Sequence, residues 1–339
     1  MTRVAIVGAS GNVGTALLSR LATAGDAWDV TGLARRIPPS APPYDIADWV
    51  ACDVAAPDAR AQLAEAFTGV DTVVHLAWQI QPSHDEGQLR RTNVDGSAAV
   101  VRAAAQVGVK QVVYASSMGT YAPGPKDRPV DESWPATGVS SSSYGRHKAA
   151  VESWLDGWES GHPNMIVTRI RPALVFQRKA ASQIARYFLG PLFPISQLGR
   201  VPLPVVPLSD RLVFQAVHAD DLAEAYLLAI RARLPGPVNI AADPVLGPAD
   251  LAAAVRARRV LPVSLGLLRG LAALTWHLRL QPTSPGWVDL AGALPIMDTT
   301  RARTELGWKP RASATEALAE LIDGMVNRVG TPSPPMTPR

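Results

Sequence analysis

A tyrosine and a lysine four residues apart carry the strongest chemical signal in the chain. Tyr144 and Lys148 stand in the run Tyr-Gly-Arg-His-Lys, and a helix places residues at this spacing on one face. A lysine ammonium beside a phenol stabilises the tyrosinate, which makes the phenol a usable acid or base near neutral pH. The pair predicts proton transfer at Tyr144, with Lys148 lowering its pKa.

Two serines follow an apolar run that predicts a strand over residues 112–115. Ser116 and Ser117 then stand at the carboxyl edge of a parallel sheet, where such sheets bind ligands. A hydroxyl there could hydrogen-bond a substrate oxygen. If this pair is considered without Tyr144 and Lys148, the alternative interpretation is that the serines only cap a loop.

A glycine-rich turn joins the first predicted strand to the first predicted helix. Its sequence, Gly-Ala-Ser-Gly-Asn-Val-Gly, runs from Gly8 to Gly14. Glycines let the backbone approach a pyrophosphate, which the positive helix N-terminus then binds. The predicted dinucleotide contacts are Gly8, Ser10, Gly11, Asn12, Val13 and Gly14.

The end of the second predicted strand carries two arginines and no acid. A site for NAD usually has an acid there for the ribose 2′-hydroxyl, whereas a basic group suits a 2′-phosphate. Arg35 and Arg36 could clamp such a phosphate, so NADP is favoured and NAD stays possible. Two surface arginines at the start of a loop are the alternative.

The elements that must position these residues alternate between strand-like and helix-like patterns. Strand-like runs lie at 4–7, 30–33, 72–76, 111–115 and 166–170, with helix-like stretches at 11–24, 58–67, 90–107 and 144–160. This alternation predicts an α/β fold, a Rossmann-like doubly wound parallel sheet, in residues 1–175. Residues 212–242 are expected to return to it, 176–211 and 243–328 to form a smaller, mostly helical substrate domain, and 329–339 to be a disordered tail.

Composition excludes several classes of protein. The 339 residues carry a net charge of +4, too mild to indicate a nucleic-acid partner, and the single Cys52 excludes an internal disulfide framework. The most lipophilic stretch, Val263 to Trp276, is too short to span a bilayer and is interrupted by Arg269. We therefore expect a cytoplasmic protein with a small-molecule substrate, no metal, and no membrane partner.

The positive charge is distributed unevenly. Six basic residues and no acid lie between Glu159 and Asp210, and five arginines and no acid lie between Asp250 and Asp289. We expect a lipophilic pocket that also meets an anionic group of the substrate, with Arg178 as a candidate contact. The alternative is that these arginines lie on the surface and touch no ligand.

Taken in order, the motifs resemble those of the extended short-chain dehydrogenase/reductase family, also called the NAD-dependent epimerase/dehydratase family. They are Gly8-x-x-Gly11-x-x-Gly14, Cys52-Asp53-Val54, His75-Leu76-Ala77, Thr92-Asn93-Val94, Tyr114-Ala115-Ser116-Ser117, Tyr144-x-x-x-Lys148, Arg171-Pro172, Val217-His218-Ala219-Asp220-Asp221 and Glu305-Leu306-Gly307-Trp308. The resemblance implies a Ser117, Tyr144 and Lys148 catalytic set, with Asn93 fixing the local backbone. It implies cofactor contacts from Asp53, Val54, Leu76, Ala77 and Pro172, and a homodimer through the helices at 90–107 and 144–160.

Departures from the family pattern bear on the substrate. Sugar-nucleotide dehydratases of the family carry an Asp-Glu pair where this chain has Met118 and Gly119. The epimerases' phosphate-binding arginine corresponds to Phe214, and their asparagine after the arginine turn to Ala173 or Leu174. A glycine-rich loop of theirs is replaced by the apolar residues 201–207. We therefore expect Trp78, Met118 and Ala173 to line an apolar substrate pocket.

The sequence predicts an NAD(P)-dependent oxidoreductase that transfers hydride to or from a carbonyl or alcohol of a small, largely apolar substrate. A nucleotide-sugar epimerase, which regenerates its cofactor within each turnover, is the alternative. A regulator that senses the dinucleotide without catalysis is a further alternative, although such proteins commonly lose the tyrosine–lysine pair that this chain retains.

Overall fold

The computed structural model describes residues 1–190 and 202–338. The part of the predicted substrate domain at residues 191–201, with Val201 of the apolar segment 201–207, lies outside the described residues. The strands are β1 (Thr2–Val7), β2 (Trp28–Ala34), β3 (Ala47–Ala51), β4 (Thr72–His75), β5 (Gln111–Ala115), β6 (Pro129–Val130), β7 (Ile166–Pro172), β8 (Leu174–Phe176), β9 (Val206–Leu208), β10 (Phe214–His218), β11 (Gly236–Ile240), β12 (Ala242–Leu246), β13 (Val260–Pro262) and β14 (Ile296–Met297).

Helices alternate with these strands through the first half of the chain and predominate in the second. They are α1 (Asn12–Ala22), α2 (Ala59–Ala66), α3 (Glu86–Arg90), α4 (Gly96–Gln106), α5 (Ser143–Gly161), α6 (Ala181–Phe188), α7 (Ala219–Ala232), α8 (Pro248–Ala254), α9 (Leu265–His277), α10 (Pro285–Ala293), α11 (Thr300–Glu305) and α12 (Ala314–Val326). A π-helical turn, Arg91–Asp95, joins α3 to α4. Within the described residues, no helix combines the length and apolar content needed to cross a bilayer.

Seven parallel strands form the central sheet, in the order β11-β7-β5-β4-β1-β2-β3. The predicted doubly wound fold is confirmed, and β11 forms one edge of the sheet. The strand order reverses between β1 and β4, and open α/β sheets bind ligands at the carboxyl ends of the strands at such a point. β3 was missed because this edge strand has a half-exposed pattern and lacks a continuous apolar run.

Each face of the central sheet is covered by helices. α1 and α7 pack on one face through residues such as Leu17, Leu222 and Tyr226, which are almost fully buried. On the other face, Leu63 of α2, Val101 of α4 and Leu155 of α5 belong to one buried cluster. These two layers fix the carboxyl ends of the strands, from which the functional side chains project.

Residues 212–242 were expected to return to the first domain. α7 packs on α1 and β11 pairs with β7, whereas β10, which precedes α7, lies outside the central sheet. β10 lies in a separate three-stranded sheet between β8 and β12. The reason is that β8 follows β7 almost directly and offers β10 a parallel partner away from the central sheet.

The tail expected to be disordered is ordered through residue 338. Ser333 and Met336 are fully buried, and the Ser333 hydroxyl donates to the carbonyl of Ser10 in the glycine-rich turn. The Thr331 hydroxyl lies 3.1 Å from that of Tyr44. Proline-rich composition misled the prediction, because one buried methionine and these hydrogen bonds hold the segment against the first domain.

Candidate active site

A cleft of about 290 Å³ opens at the carboxyl ends of the central strands. Ser117 follows β5, Tyr144 and Lys148 lie on the first turns of α5, and all three line this cleft. The Ser142 hydroxyl caps α5 by accepting from the Gly145 backbone amide, which fixes where the helix begins and thus where Tyr144 stands. The predicted catalytic side chains therefore lie together in one cavity.

The Tyr144 hydroxyl is buried and hydrogen-bonded to the Ser117 side chain. Burial raises the pKa of Tyr144 to about 12, although the Ser117 hydrogen bond opposes the shift. The expectation that Lys148 lowers this pKa is therefore wrong, because burial dominates and Lys148 does not contribute to the shift. The phenol is protonated at neutral pH, which is the form that a proton donor requires.

Two contacts with groups other than Tyr144 hold Lys148 in place. Its Nζ donates to the carbonyl oxygen of Ala115 at 2.6 Å and lies 3.4 Å from the ring centroid of Trp78, whereas it is 5.9 Å from the Tyr144 ring centroid. Burial lowers the pKa of Lys148 well below its ordinary value, with Glu152 opposing the shift. The ammonium sits between the end of β5 and an aromatic wall.

Gly119 is a site residue that sequence reasoning noted only as a departure from the dehydratase pattern. A Cβ at this position would lie 2.6 Å from Cε1 of Tyr144 and 3.3 Å from Oγ of Ser117. Its backbone amide also donates to the Ser117 hydroxyl at 3.0 Å. The absence of a side chain at 119 lets the tyrosine ring pack directly on the loop that carries the serine.

The glycine-rich turn has the form that a dinucleotide requires. Gly8 adopts a φ of +91°, and a Cβ there would lie 2.7 Å from the backbone nitrogen of Ala77. A Cβ on Gly14 would lie 2.5 Å from the Ala9 carbonyl oxygen. α1 then begins with no side-chain cap and no acidic residue in its first turn, so its positive end faces the cleft, as phosphate binding requires. Gly8, Gly11, Asn12, Val13 and Gly14 all line the cleft.

A second pocket adjoins the first beyond the glycine-rich turn. The predicted cofactor residues that line it are Gly8, Ser10, Gly11, Arg35, Asp53, Val54, Leu76 and Ala77. Pro335 of the C-terminal segment lines it as well, and the Arg186 guanidinium holds the Pro335 carbonyl at 2.6 Å. No sequence signal pointed to this tail contact. The glycine-rich turn lies between the two pockets and borders both. Together they form an elongated site in which this turn can bind the phosphates of a dinucleotide.

Asn93 does not line the cleft. It lies in the π-helical turn and pairs with the backbone of Gln79. Its Oδ1 accepts a hydrogen bond from the Gln79 backbone N–H at 2.7 Å, and its Nδ2 donates one to the Gln79 backbone carbonyl at 3.0 Å. This two-way pairing fixes the loop that carries Trp78. The geometry agrees with a backbone-fixing role and gives Asn93 no contact with the reacting groups.

Arg171 points away from the cleft, while its neighbour Pro172 lines it. The Arg171 guanidinium is paired with the buried carboxylate of Glu152, at 2.9 Å from Nε to Oε1, and donates to the Tyr121 hydroxyl at 3.0 Å. Ser116 donates to the same carboxylate. This cluster ties the end of β5, helix α5 and strand β7 together beneath the catalytic side chains.

The structure does not bring Arg178 to the cleft, and its predicted substrate contact is wrong. The side chain is about half exposed and pairs with Asp323 of α12 at 2.5 Å. The reason is that residues 178–180 form a helical turn that packs on α12 on the outside of the second domain. Arg178 thus supports the alternative that arginines of the acid-free segments serve packing and surface contacts.

The substrate end of the cleft is apolar and aromatic. Trp78, Met118 and Ala173 line it as the sequence predicts. Trp287 and Leu290 of α10, Leu294 just after that helix, and Phe188 of α6 complete the wall. The Tyr144 and Trp287 ring centroids are 5.0 Å apart. Among the lining residues within 1–190 and 202–338, Lys148 is the sole charged side chain. The helices of the second domain were not identified as site elements, since their apolar pattern is equally typical of core packing.

His75 gives a prediction for stability. Burial, with a smaller contribution from Lys148, lowers its pKa to about 3. An unfolded histidine takes up a proton below about pH 6.5, whereas native His75 stays neutral, so stability is complete above pH 6.5 and falls with pH below it. Urea unfolding should show that the free energy of unfolding of the wild type falls by on the order of 1.4 kcal/mol per pH unit toward acid, and that His75→Gln removes this dependence.

His277→Gln, at an exposed helix end, is the control for this measurement. Equal slopes of the free energy of unfolding against pH for wild type and His75→Gln would contradict this account.

Comparison with known proteins agrees with this geometry. The family model for the NAD dependent epimerase/dehydratase family matches residues 4–241. An uncharacterized protein of Mycobacterium tuberculosis is 30% identical over 333 residues, covering 97% of this chain and 30% of that protein. The chain thus spans 30% of the length of this curated relative. A 3-beta-hydroxysteroid dehydrogenase of Mycolicibacterium neoaurum is 26% identical, covering 99% of this chain and 97% of that protein.

Solved structures show the same fold. UDP-glucose 4-epimerase from Thermotoga maritima, crystallised with UDP-glucose, superposes with a TM-score of 0.72 at 18% identity, over 96% of this chain and 99% of that chain. The Thermus thermophilus UDP-glucose 4-epimerase in complex with NAD superposes with a TM-score of 0.70 at 20% identity, over 97% and 100%. With the family model spanning well over half of its length, this chain belongs to the NAD-dependent epimerase/dehydratase family, the extended short-chain dehydrogenases/reductases.

Proposed function

We propose that this protein is an NAD(P)-dependent oxidoreductase that interconverts a carbonyl and an alcohol on a small, largely apolar substrate. The observation that carries the proposal is the cleft wall: next to Ser117 and Tyr144 it is apolar, and Lys148 is its sole charge among the described residues. A nucleotide-sugar pyrophosphate carries negative charges that call for cationic partners. The 3-beta-hydroxysteroid dehydrogenase relative acts, by its name, on a lipophilic alcohol.

The residues divide the chemistry among them. Ser117 donates a hydrogen bond to the substrate carbonyl oxygen, and Tyr144, protonated because its pKa is raised to about 12, supplies the proton to that oxygen. Lys148 lies where it can hold the ribose hydroxyls next to the reacting carbon. The dinucleotide supplies or accepts the hydride when bound. The aromatic wall excludes water from the reacting carbon.

We propose NADP as the preferred dinucleotide, with NAD possible. Arg35 lines the second pocket together with Asp53, whereas Arg36, equally exposed, does not line it. Solved relatives contain NAD, among them the Thermus thermophilus epimerase. A 2′-phosphate at the end of β2 would pair with the Arg35 guanidinium through charge-assisted hydrogen bonds.

Replacing the two arginines separately tests this preference. Arg35→Ala should lower kcat/KM for NADPH by about tenfold or more, the equivalent of one charge-assisted hydrogen bond, and leave kcat/KM for NADH nearly unchanged. Arg36→Ala removes the same charge from the neighbouring position and should change neither. Equal losses in the two variants, or a wild type that prefers NADH, would contradict the assignment.

A nucleotide-sugar epimerase is the second candidate, favoured by the UDP-glucose 4-epimerases among the solved relatives. A parallel turnover assay separates the two functions. With NADPH, we expect reduction of a ketone such as cyclohexanone or a 3-ketosteroid, with one dinucleotide oxidised per ketone. Conversion of UDP-glucose to UDP-galactose with no net change in dinucleotide would establish the epimerase instead.

We also propose a homodimer through α4 and α5, in line with the family resemblance. The two helices carry a continuous aromatic and cationic face, in which Arg102 lies 5.4 Å from the ring centroid of Trp154 and Trp154 stacks on Trp158 at 5.1 Å. Light scattering should give twice the mass of one chain, and Trp154→Glu should return it to the mass of a monomer. A wild-type monomer would remove the proposal.

A further inference from the structure

Helix α9 exposes a row of leucines to solvent. Leu267, Leu271, Leu274 and Leu278 have exposed fractions of 62%, 58%, 58% and 59%. Their spacing of four, three and four residues places them within an arc of roughly 60° on a helix. A single exposed leucine needs no explanation, but a contiguous row marks a surface that contacts something apolar.

The opposite face of α9 is anchored to the protein, so the leucine row has a fixed direction. Trp276 stacks on His84 with ring centroids 3.8 Å apart, and the Arg269 Nε lies 2.8 Å from the Asp289 carboxylate on α10. Leu265 packs over Gly292 of α10. The leucines therefore face outward because the helix is docked through its other side.

Exposed arginines flank this row along the chain, before and after α9. Arg258 and Arg259 are exposed just before β13, and Arg279 is exposed between Leu278 and Leu280 at the end of the helix. No acidic residue lies between Asp250 and Asp289. An apolar helical face with arginines at its margin is complementary to the acyl chains and anionic headgroups of a lipid surface.

A second protein surface suits this face less well. Thirteen helical residues are ~20 Å long and about 10 Å wide, so their footprint is far below the roughly 800 Å² per partner of a stable protein interface. A symmetric contact between two copies would also bring the same arginine-bearing patches together. Lipid avoids both difficulties because it covers the leucines and neutralises the arginines.

We propose that the leucine face of α9 docks this protein on the surface of a bilayer that contains anionic phospholipid. The expectation of no membrane partner rested on the lack of a spanning stretch, and a 13-residue helix that lies in the interface needs none. α10, on which α9 packs, contributes Trp287 and Leu290 to the cleft. Docking would therefore bring the lipophilic end of the cleft close to the bilayer, although the proposal does not depend on the identity of the substrate.

Vesicle flotation tests the proposal on the full chain. Wild-type protein should float with vesicles of phosphatidylcholine plus phosphatidylglycerol at low salt, and less with phosphatidylcholine alone or at high salt. The double variant Leu271→Gln/Leu274→Gln should bind the anionic vesicles at least about tenfold more weakly, with an unchanged Tm. Val245→Gln, an exposed apolar residue of β12, is the matched control and should bind as wild type does.

Three results would overturn the proposal. They are failure of the wild type to float with anionic vesicles, equal flotation of the leucine variant, and a wild-type dimer that the leucine variant disperses. The last result would assign this face to a second copy of the chain. NADPH turnover with a ketone in the same preparations reports the proposed function separately, because none of the replaced residues lines the cleft.

Discussion

Tyr144→Phe is expected to lower kcat for ketone reduction by about 10²- to 10⁴-fold, the usual contribution of a positioned proton donor. The hydroxyl is buried and hydrogen-bonded to Ser117, and burial holds its pKa near 12. Phenylalanine keeps the ring that packs against Gly119 and Trp287, so the cleft should keep its shape. The dissociation constant for NADPH should therefore change little, and the loss should appear in kcat.

A matched variant separates the chemistry from packing. Tyr187→Phe also removes a hydroxyl from the cleft wall, one that accepts a hydrogen bond from Gln183 at 3.3 Å, and should keep kcat within a few-fold of wild type. Full turnover by Tyr144→Phe would contradict the proposed role of the phenol. A wild type that binds dinucleotide and turns over no substrate would support the sensor alternative instead.

Glu152→Gln is expected to lower the free energy of unfolding by about 3–5 kcal/mol, the cost of removing one partner from a buried ion pair. The Glu152 side chain is 1% exposed and that of Arg171 is 4% exposed, so little water is available to compensate the remaining guanidinium. Arg169, also buried, lies 3.6 Å from the same carboxylate. Urea unfolding measures the loss, and Glu305→Ala, which breaks an exposed pair with Arg301, should cost about 0–1 kcal/mol.

The Glu152 carboxylate also makes the free energy of unfolding depend on pH. Burial raises the pKa of Glu152, but the hydrogen bonds and charge of Arg171 outweigh it, and the pKa lies below its ordinary value. The stabilisation is therefore present above the unfolded pKa and is lost as pH falls through the folded one. Below that range, Glu152→Gln and wild type should converge in stability. A constant difference between them at all pH values would show that the loss is steric.

Much of the site could be predicted because local patterns specify it. The glycine turn, the serine after β5 and the Tyr-x-x-x-Lys spacing on α5 each depend on one strand end or one helix face, and the sheet brings those ends together. The alternation of elements predicts the parallel sheet, whereas the order of its strands comes from the structure. The residues of each motif are close in sequence, so each motif can be recognised locally, and the fold then brings the separate motifs to one cleft.

What could not be predicted depends on contacts between distant segments. Lys148 was expected to act on Tyr144, but the Ala115 carbonyl and the Trp78 ring hold its ammonium. Arg178 was expected at the substrate, but Asp323, 145 residues later, pairs with it. Pro335 reaches the cofactor pocket because Ser333 bonds to Ser10, 323 residues away. Charge and spacing along the chain carry no information on such partners.

Deuteride transfer is the measurement that tests the central claim most directly. Wild-type protein would be incubated with an apolar ketone and NADPH carrying two deuterium atoms at the reactive nicotinamide carbon. A parallel sample would contain UDP-glucose and the oxidised dinucleotide, and the products of both would be analysed by mass spectrometry. We predict an alcohol that carries one deuterium at its carbinol carbon, in a one-to-one ratio with oxidised dinucleotide. UDP-galactose formed without net reduction of the dinucleotide, together with an unreacted ketone, would contradict the account.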